Sequence, residues 1–328
     1  MKVKVVFAVA AVCFVQSVQA QTMCVFDLLG AQGDNYSMMK DYAVAAKQWG
    51  ADITLKPYTD ERVASEDFKA GQCDGVALTG LRARQFNSFT GSIDAIGGLQ
   101  SYSAAKMIIS LMANPKLAPD MLQNGYEVVG VTTLGAAYIM VRDRNINTLA
   151  KAAGKRFGVL DYDKSQAIMV QKVGAQPVSV DLLTIGGKFN NGQIDAIALP
   201  AIAFRPLEIY KGLGTKGAII RFPILQVTGA VVIRPNKFPN DFGQKSRHWV
   251  ASQIGREVEL INKTEKAIDA KYWLDISANE KIGYIKLMRE ARIDLTDDGI
   301  YNKKMMSILK KVRCAQDPTS FECSIAGE

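Results

Sequence analysis

GKRFGVLDYDKSQAIMVQKVGAQPVSVDLLTIGGKFNNGQIDAIALP, residues 154–200, is the stretch that decides the predicted architecture of this chain. Short apolar or alternating runs, which predict strands, are separated in it by longer runs with helical spacing. The predicted elements are a strand at Arg156–Leu160, a helix at about Ser165–Val173, a strand at Val178–Val180, a helix at about Leu182–Asn190 and a buried strand at Ile194–Leu199. This alternation is typical of a parallel sheet with helices on its faces.

The ends of these strands are the first place to look for a ligand site. Ligands of open parallel sheets bind beyond the carboxyl ends of the strands, which here are residues 161–164 and 199–201. Asp161, Asp163, Lys164 and Ser165 also begin the predicted helix, where such residues are expected as caps. The sequence leaves both roles open for them, ligand contact and helix capping.

A second run of strands and helices precedes this stretch. The predicted elements are a strand at Met23–Leu28, a helix at Tyr36–Trp49, a strand at Asp52–Pro57, a helix at Asp60–Ala70 and a buried strand at Gly75–Thr79. Two strand–helix units before a third strand again predict a parallel sheet. The segment that follows, Gly80–Gln100, is rich in polar and aromatic residues, and we expect it to be a loop facing a cleft.

The composition is that of a folded protein with two domains. The chain has 328 residues, of which 48% are hydrophobic and 22% charged, and its net charge is +8. Such a length and balance predict a globular protein. The modest basic excess suits either an anionic ligand or simple solubility.

The first 20 residues have the pattern of a secretory signal peptide. Lys2 and Lys4 precede the apolar core Val5–Val15, and Val18-Gln19-Ala20 is a small-residue cleavage site. After Ala20, no uninterrupted apolar run reaches the roughly 18 residues of a membrane span. We therefore expect a soluble protein exported to the periplasm and cleaved after Ala20.

Four cysteines follow the predicted leader, and an even number in an exported chain indicates disulfides. Cys24 opens the first strand and Cys73 opens the third, which are neighbours in this architecture, so we predict a Cys24–Cys73 bond. Cys314–Cys323 would then close a small loop near the end of the chain. Metal ligation is the alternative, but the chain has no Cys-x-x-Cys and only one histidine. We expect no metal.

The second half of the chain contains long extended runs and then helices. Residues 125–141 predict a long extended segment, and Ala218–Phe222 and Gln226–Ile233 predict two strands, of which the second returns to the first lobe. Ile202–Tyr210 has helical character. From about Asp241 the chain is predicted to be helical, with an unusually long helix at Ser246–Ala270.

Three short motifs in the opening stretch resemble one known family. Gly154-Lys155-Arg156-Phe157-Gly158-Val159, Gly174-Ala175-Gln176-Pro177-Val178 and Gly192-Gln193-Ile194-Asp195-Ala196 occur in the order and at the spacing of motifs in the second lobe of the solute-binding proteins of TRAP transporters. The order of elements is similar over nearly the whole mature chain.

This resemblance implies an α/β fold of the periplasmic binding protein type II-like kind, with two parallel-sheet lobes joined by crossing strands and a long C-terminal helix. The implied domains are lobe I at 21–137 and 229–262, lobe II at 138–228, and C-terminal helices at 263–328 packing across both lobes. The implied function is capture of a small solute between the lobes.

The chain departs from this family at the positions that usually hold a ligand carboxylate. The family's arginine on the Lys-φ-Arg-Val strand corresponds to Gly158, and the arginine of its Gly-x-Arg crossing-strand motif is missing, since Gly135 is followed by Ala136 and Ala137. A guanidinium suits that role because two of its N–H groups can donate hydrogen bonds to the two oxygens of one carboxylate. Arg156, two residues earlier, is a candidate replacement.

Other residues near predicted strand ends are candidate ligand contacts. Asp34 and Asn35 could supply hydrogen bonds, Arg82, Arg84 and Arg205 could bind an anion, and tyrosines could form aromatic walls. Each also has an ordinary structural interpretation, as a salt-bridged loop residue or a core aromatic. The full set of predicted ligand-binding residues is Asp34, Asn35, Tyr36, Arg82, Arg84, Tyr138, Asp161, Tyr162 and Arg205, with Tyr102 as a further candidate wall.

The sequence gives little support for an enzyme or a nucleic-acid binder. The single histidine, His248, leaves no Ser-His-Asp arrangement, and no phosphate-binding glycine motif follows a strand. The basic residues at 303–313 have no interleaved aromatics and are typical of a solvated helix face. We expect no catalysis, no cofactor and no nucleic acid.

The sequence thus predicts a monomeric periplasmic protein that captures a small polar or anionic metabolite for the membrane subunits of a TRAP-type transporter. The segment GLRARQFNSFTGSIDA resembles proteins labelled as associated with efflux or aminoglycoside resistance. The alternative is therefore a periplasmic accessory protein that keeps the fold without a transported ligand.

Overall fold

The computed structural model describes residues 20–328, so the predicted leader lies outside the described residues except for Ala20. Within this part of the chain, no helix is both long enough and apolar enough to cross a membrane.

A single mixed sheet of ten strands runs through the molecule. Its main path has the order β2-β1-β3-β9-β5-β8-β6-β7, with β4 beside β5 and β10 beside β9. The strands are β1 Gln21–Phe26, β2 Ile53–Tyr58, β3 Gly75–Thr79, β4 Leu122–Gln123, β5 Tyr126–Val141, β6 Arg156–Leu160, β7 Gln176–Val180, β8 Ala196–Pro200, β9 Ala218–Ile233 and β10 Trp273–Leu274.

Thirteen α-helices among residues 20–328 cover the faces of this sheet. They are α1 Asp34–Lys47, α2 Glu61–Lys69, α3 Gly80–Ala83, α4 Ser88–Gly91, α5 Tyr102–Met112, α6 Leu149–Ala152, α7 Lys164–Lys172, α8 Ile185–Asn190, α9 Ile209–Leu213, α10 Phe242–Ser252, α11 Ile254–Lys266, α12 Ala278–Asp297 and α13 Lys303–Gln316. The mixed α/β class predicted from the sequence is confirmed.

The first lobe is built on the parallel strands β1, β2 and β3 with helices α1 and α2. β1 pairs with both of the other strands in parallel, as its run of apolar residues predicts for a strand buried on both faces. Asp60 begins α2, because its side chain accepts hydrogen bonds from the backbone N–H groups of Arg62 and Val63.

The second lobe is built on β6, β7 and β8 with helices α7 and α8. β6 pairs in parallel with β7 and with β8, so the strand–helix alternation predicted for residues 154–200 is confirmed. The bounds of β6 match the prediction, whereas α8 begins at Ile185 and β8 at Ala196, each later than predicted. Asp163 caps α7 by accepting from the Ser165 backbone N–H.

The two lobes share the long antiparallel strands β5 and β9, each of 16 residues. β3 runs antiparallel to β9 and ends with Thr79 opposite Gly229. β8 runs antiparallel to β5 and ends with Pro200 opposite Ala137. Both lobes therefore point the carboxyl ends of their parallel strands at the middle of the crossing strands, from opposite sides.

Several predicted elements differ from the structure. Residues 218–233 form one strand, because pairing with β5 continues past Pro223 through register shifts. Residues 202–210 contain only a 3₁₀ turn at Ala201–Ala203 and the start of α9. The predicted long helix at 246–270 is two helices, α10 and α11, separated at Gln253.

The segment 80–100 is another correction. It is not an open loop but a compact region containing α3 and α4, and nearly all of its residues from Ala83 to Leu99 are buried. It packs against the C-terminal helices, where the Tyr301 hydroxyl lies 3.2 Å from the Ile96 backbone N–H and accepts its hydrogen bond. Most of this segment therefore contributes to the core rather than to a cleft.

Helices after residue 240 contact both lobes. α10 packs on β5, and α11 packs on β5 and on the 3₁₀ turn Ala201–Ala203, which follows β8. α12 packs on α7 of the second lobe and on α13. The boundaries predicted for the domains, in particular 263–328 as a separate packing unit, remain a prediction.

Both predicted disulfides, Cys24–Cys73 and Cys314–Cys323, are present. The first joins β1 to the turn before β3, and both of its cysteines are buried. The second joins α13 to the segment that follows it. They close loops with sequence separations of 49 and 9.

Removing the first disulfide should cost more stability than removing the second. Replacing Cys24 and Cys73 with alanine is expected to lower the free energy of unfolding by about 4 kcal/mol, because the longer loop constrains the unfolded chain more. The matched control replaces Cys314 and Cys323 with alanine and is expected to cost about 2.5 kcal/mol. Denaturation with guanidinium chloride under non-reducing conditions measures both, and equal or reversed losses would contradict the loop-length argument.

Candidate functional site

A cavity of about 480 Å³ lies between the two lobes, at the middle of the crossing strands. Its first-lobe wall consists of the end of β1, the start of α1 and the end of β3, and its second-lobe wall of the ends of β6 and β8. Helix α11 completes the lining with residues from Arg256 to Lys263. The register of β3 and β8 on the crossing strands places the cavity where a parallel sheet binds ligands.

Asp27, at the end of β1, organises the first-lobe wall. Its two carboxylate oxygens accept hydrogen bonds from the backbone N–H groups of Leu29, at 2.8 Å, and Tyr36, at 3.1 Å. Gly33 is needed beside it, because a Cβ at that position would lie 1.8 Å from Asp27 Oδ1. Asn35 is fixed in the same corner by donating from Nδ2 to the Phe26 carbonyl at 2.6 Å.

Glu257 of α11 is the second buried carboxylate of the cavity lining. Its Oε2 accepts a hydrogen bond from the Thr133 backbone N–H at 3.1 Å, while Oε1 has no hydrogen-bond partner among residues 20–328. Burial raises the pKa of Glu257 to about 7, against the opposing effects of the Thr133 hydrogen bond and the nearby charge of Arg256. The side chain therefore titrates near neutral pH.

The cationic residues of the lining are exposed and lie on α11. Arg256 and Lys263 are both at the solvent-facing rim. Arg256 forms an ion pair with Asp41 at 2.8 Å, so its charge is partly satisfied within the protein. Among the described residues that line the cavity, the buried charged groups are thus carboxylates.

A second cavity, of about 100 Å³, adjoins the first. The two share the lining residues Leu81, Gln166, Ala198 and Val227. The remaining wall of the smaller cavity is almost entirely apolar, with Ile139, Met169 and Tyr284 among its residues. The space between the lobes therefore extends from the main cavity into a largely hydrophobic region.

Arg84 connects the two lobes. Its guanidinium donates to Asp163 Oδ1 at 3.0 Å, and Asp163 belongs to the second lobe. The pair is buried, with 13% of the Arg84 side chain and 1% of the Asp163 side chain exposed. Arg84 also donates from Nε to the Gly91 carbonyl, so its position is fixed by its own segment.

A second interlobe contact forms around Tyr162. The Arg82 guanidinium lies 3.5 Å from the centre of the Tyr162 ring, a cation–π contact. The Tyr162 hydroxyl donates to Glu61 Oε2 at 3.1 Å, and Arg82 approaches the same carboxylate at 3.6 Å. Burial raises the pKa of Glu61 and that of Tyr162.

The structure brings only some of the predicted ligand-binding residues to the cavity. Asp34, Asn35 and Tyr162 line it. Arg82 and Arg84 lie outside the lining and are engaged by Glu61 and Asp163 instead. Contact of any of these residues with a ligand remains a prediction.

The other predicted residues are outside the lining as well. Asp161 and Arg205 are exposed, and the Tyr36 backbone N–H is used by Asp27. Tyr138 is buried, where its hydroxyl donates to Glu265 at 3.1 Å and its ring meets Trp273 edge to face. Tyr102 donates to the same carboxylate of Glu265.

The position that corresponds to the family arginine is crowded by neighbouring isoleucine side chains. A Cβ at Gly158 would lie 2.6 Å from Ile194 Cδ1 and 3.2 Å from Ile197 Cγ2. Arg156 does not replace it, because its guanidinium donates to both oxygens of Asp195, at 3.0 and 2.7 Å. Arg156 therefore stabilises the lobe rather than reaching the cleft.

Sequence reasoning missed Glu257 and the contribution of α11. One signal was available: Glu257 shares a helical face with Ile254, Val258 and Ile261, at spacings of three and four residues. A carboxylate within an apolar stripe indicates either a buried ion pair or a site. Among residues 20–328, no three His, Cys, Asp or Glu side chains gather as a metal site would require.

Comparison with known proteins gives both a family and a fold. Residues 42–328 match the profile of the family described as "Solute-binding protein AdeT 1/2". The chain is 54% identical over 303 residues to "Probable solute-binding protein AdeT1" of Acinetobacter baumannii, an alignment that covers 92% of this chain and all of that protein.

Solved structures with the same fold are far more distant in sequence. A TRAP periplasmic solute-binding protein from Desulfovibrio salexigens with bound orotic acid is similar with a TM-score of 0.74 at 13% identity, covering 90% of this chain and 99% of that one. One from Haemophilus influenzae RdAW with bound L-gulonate has a TM-score of 0.74 at 12% identity, covering 89% and 99%. At such identities the likeness shows the fold alone.

Arg84→Ala is expected to separate the lobes, because it leaves the buried Asp163 carboxylate without its cationic partner. We expect a loss of about 3–5 kcal/mol of stability and a larger radius of gyration in small-angle X-ray scattering. The matched control is Arg156→Ala, which removes an arginine–aspartate pair that lies within the second lobe. An unchanged radius of gyration for Arg84→Ala, with circular dichroism showing a folded protein, would show that this pair does not hold the lobes together.

Glu257→Gln is expected to stabilise the protein at high pH. The folded-state pKa of about 7 lies above the ordinary value of 4.5, so the wild type loses stability as pH rises through this window. The variant lacks this titration and should gain roughly 3 kcal/mol over the wild type above pH 7, a gain that vanishes below pH 4.5.

Urea denaturation of both proteins across this pH range measures that difference. The control is Glu290→Gln, an exposed glutamate of α12 that lines neither cavity, which should leave the pH profile unchanged. A stability difference between Glu257→Gln and the wild type that does not vary with pH would contradict the assignment.

Proposed function

The chain belongs to the AdeT 1/2 family of solute-binding proteins, and from this membership and the geometry of the cleft we propose that it captures one small solute between its lobes for a TRAP-type transporter. The observation that carries the proposal is the cavity of about 480 Å³ at the carboxyl ends of strands from both lobes. A volume of this size suits a small metabolite.

Capture requires the lobes to open and close, and the crossing strands offer the hinge. Gly135 has a φ of +104°, and the pairing of β5 with β9 shifts register on both sides of it. Backbone freedom and irregular pairing at this point allow rotation without breaking either half of the sheet. We place lobe I at 21–137 and 229–262, lobe II at 138–228, and 263–328 across both.

Two observations support the proposal that the ligand is a small polar or anionic molecule. The sequence predicts a small polar or anionic metabolite, and the structural neighbours named above contain bound orotic acid and L-gulonate, both organic acids. Within the proposal, Asp34, Asn35 and Tyr162 are the predicted residues that would meet the solute.

The proposal also covers compartment and partners. The leader predicted at residues 1–20 would direct export to the periplasm, with cleavage after Ala20. The protein would act there as a monomer and present its ligand-bound form to transporter subunits in the membrane. Its role is binding, without catalysis.

Native mass spectrometry of protein purified from the periplasm tests capture directly. The expected result is a small mass that accompanies the folded protein and is lost on unfolding. The same ligand, supplied at about 100 times its dissociation constant, should add about 2.7 kcal/mol of stability. Leu260→Trp, on the cavity face of α11, should lower the occupancy because the indole fills the space.

The matched control is Ile282→Trp, which places the same side chain at a similarly exposed position on α12, outside both cavities. Its occupancy should equal that of the wild type. A protein that carries no small molecule, and that no acid, amino acid, sugar or aminoglycoside stabilises, would overturn the proposal. That result would favour the periplasmic accessory role.

A further inference from the structure

The walls of the cleft are mainly hydrocarbon. Leucine, isoleucine, valine, methionine, phenylalanine and proline side chains come from both lobes and from α11. They include Leu78, Leu134, Leu160, Leu199, Ile202 and Leu260, and the adjoining smaller cavity adds a further apolar surface. Burying apolar ligand surface against such walls is favourable, whereas the polar groups of a small polyol or dicarboxylate would lose water wherever they faced these side chains.

Among the described residues that line the cleft, none is a buried cation that could hold a buried carboxylate. Ile194 and Ile197 crowd the position of Gly158, and Ala136 is buried in the same hydrophobic core as these two isoleucines. Arg82 and Arg84 are engaged by the carboxylates of Glu61 and Asp163. The cations that do line the cavity, Arg256 and Lys263, are exposed at its rim.

The interior of the cleft contains a hydrogen-bond acceptor, the carboxylate of Glu257. Asp27 is satisfied by two backbone N–H groups. Glu257 is buried, with 7% of the residue exposed. One of its oxygens accepts a hydrogen bond from Thr133, and the other has no partner within the described part of the chain. A buried carboxylate oxygen without a donor is costly, and a donor on a ligand would relieve that cost.

We propose that the solute is an amphiphile with an apolar body and a hydrogen-bond-donating head, an amine in the first instance, and that Glu257 binds this head while the leucine-rich walls bind the body. The inference rests on the proposed capture of a solute in this cleft, and it assigns the ligand to a different chemical class from the organic acids bound by the structural neighbours. A carboxylate head would instead face Glu257 with like charge and no interior arginine.

The test compares probes with one body and three heads. Phenylbutylamine, phenylbutanol and phenylbutyrate carry the same phenyl chain and end in an amine, a hydroxyl and a carboxylate. Isothermal titration calorimetry at about pH 8.5, where Glu257 is ionised and the amine is still charged, measures their binding to the wild-type protein stripped of captured ligand by unfolding and refolding. We expect the amine to bind most tightly, the alcohol next and the carboxylate most weakly.

Substitutions in the cleft test whether the probes bind at Glu257 and against the apolar walls. Glu257→Gln should weaken binding of the amine about tenfold or more and change binding of the alcohol less. Glu290→Gln, the exposed control on α12, should change neither. Leu260→Trp should weaken all three probes, because it fills the space that their common body occupies, and circular dichroism checks that each variant is folded.

The outcomes distinguish a failure of this inference from a failure of the proposed capture of a solute in the cleft. Tighter binding of the carboxylate than of the amine, or an amine affinity that Glu257→Gln leaves unchanged, overturns this inference while leaving capture in the cleft intact. If none of the probes binds, the captured molecule found by native mass spectrometry decides, since an organic acid overturns the inference and an apolar amine or alcohol supports it. No captured molecule and no probe binding would overturn both proposals.

Discussion

The pairing of β5 with β9 is the constraint on which the rest of the structure depends. Both strands run through both lobes, and each lobe adds its parallel strands to an outer edge of this pair. Because β3 and β8 are antiparallel to their crossing partners, their carboxyl ends at Thr79 and Pro200 stop near the middle of the pair. The location of the cleft is therefore a consequence of strand register and needs no separate explanation.

The same geometry explains how much of the fold could be predicted from the sequence. Strand and helix positions follow from local patterns, and the bounds of β3 and β6 match them. The division of 246–270 into two helices could not be predicted, since its residues from 254 onward keep helical amphipathicity and the break at Gln253 has no proline or glycine at that residue. It depends on where α10 and α11 must pack along β5, which is tertiary information.

The candidate site was less predictable, for a physical reason. The local sequence shows which residues follow a strand. It does not show which oppositely charged residue, distant in the sequence, pairs with them in the fold. Arg84 follows β3 as an anion-binding residue would, yet its partner is Asp163, 79 residues away on the other lobe. Glu257 meets the Thr133 backbone 124 residues away. A buried ion pair adds less to stability than its Coulomb energy suggests but fixes which surfaces meet, and here it fixes the first lobe against the second.

A change of ligand class within this fold needs no change of architecture. β6 is held by its pairing with β7 and β8, which uses backbone groups and does not depend on the side chain at position 158. Gly158 has no side chain, and Ile185, Ile194 and Ile197 fill the space beside it. This arrangement extends the apolar core and places no cation at that position. Function in such proteins lies in the lining rather than in the fold. In the lining here the buried ionisable groups are the carboxyl groups of Asp27 and Glu257, and the cations Arg256 and Lys263 lie at the rim, which is the opposite of the arrangement that an arginine-based carboxylate site needs.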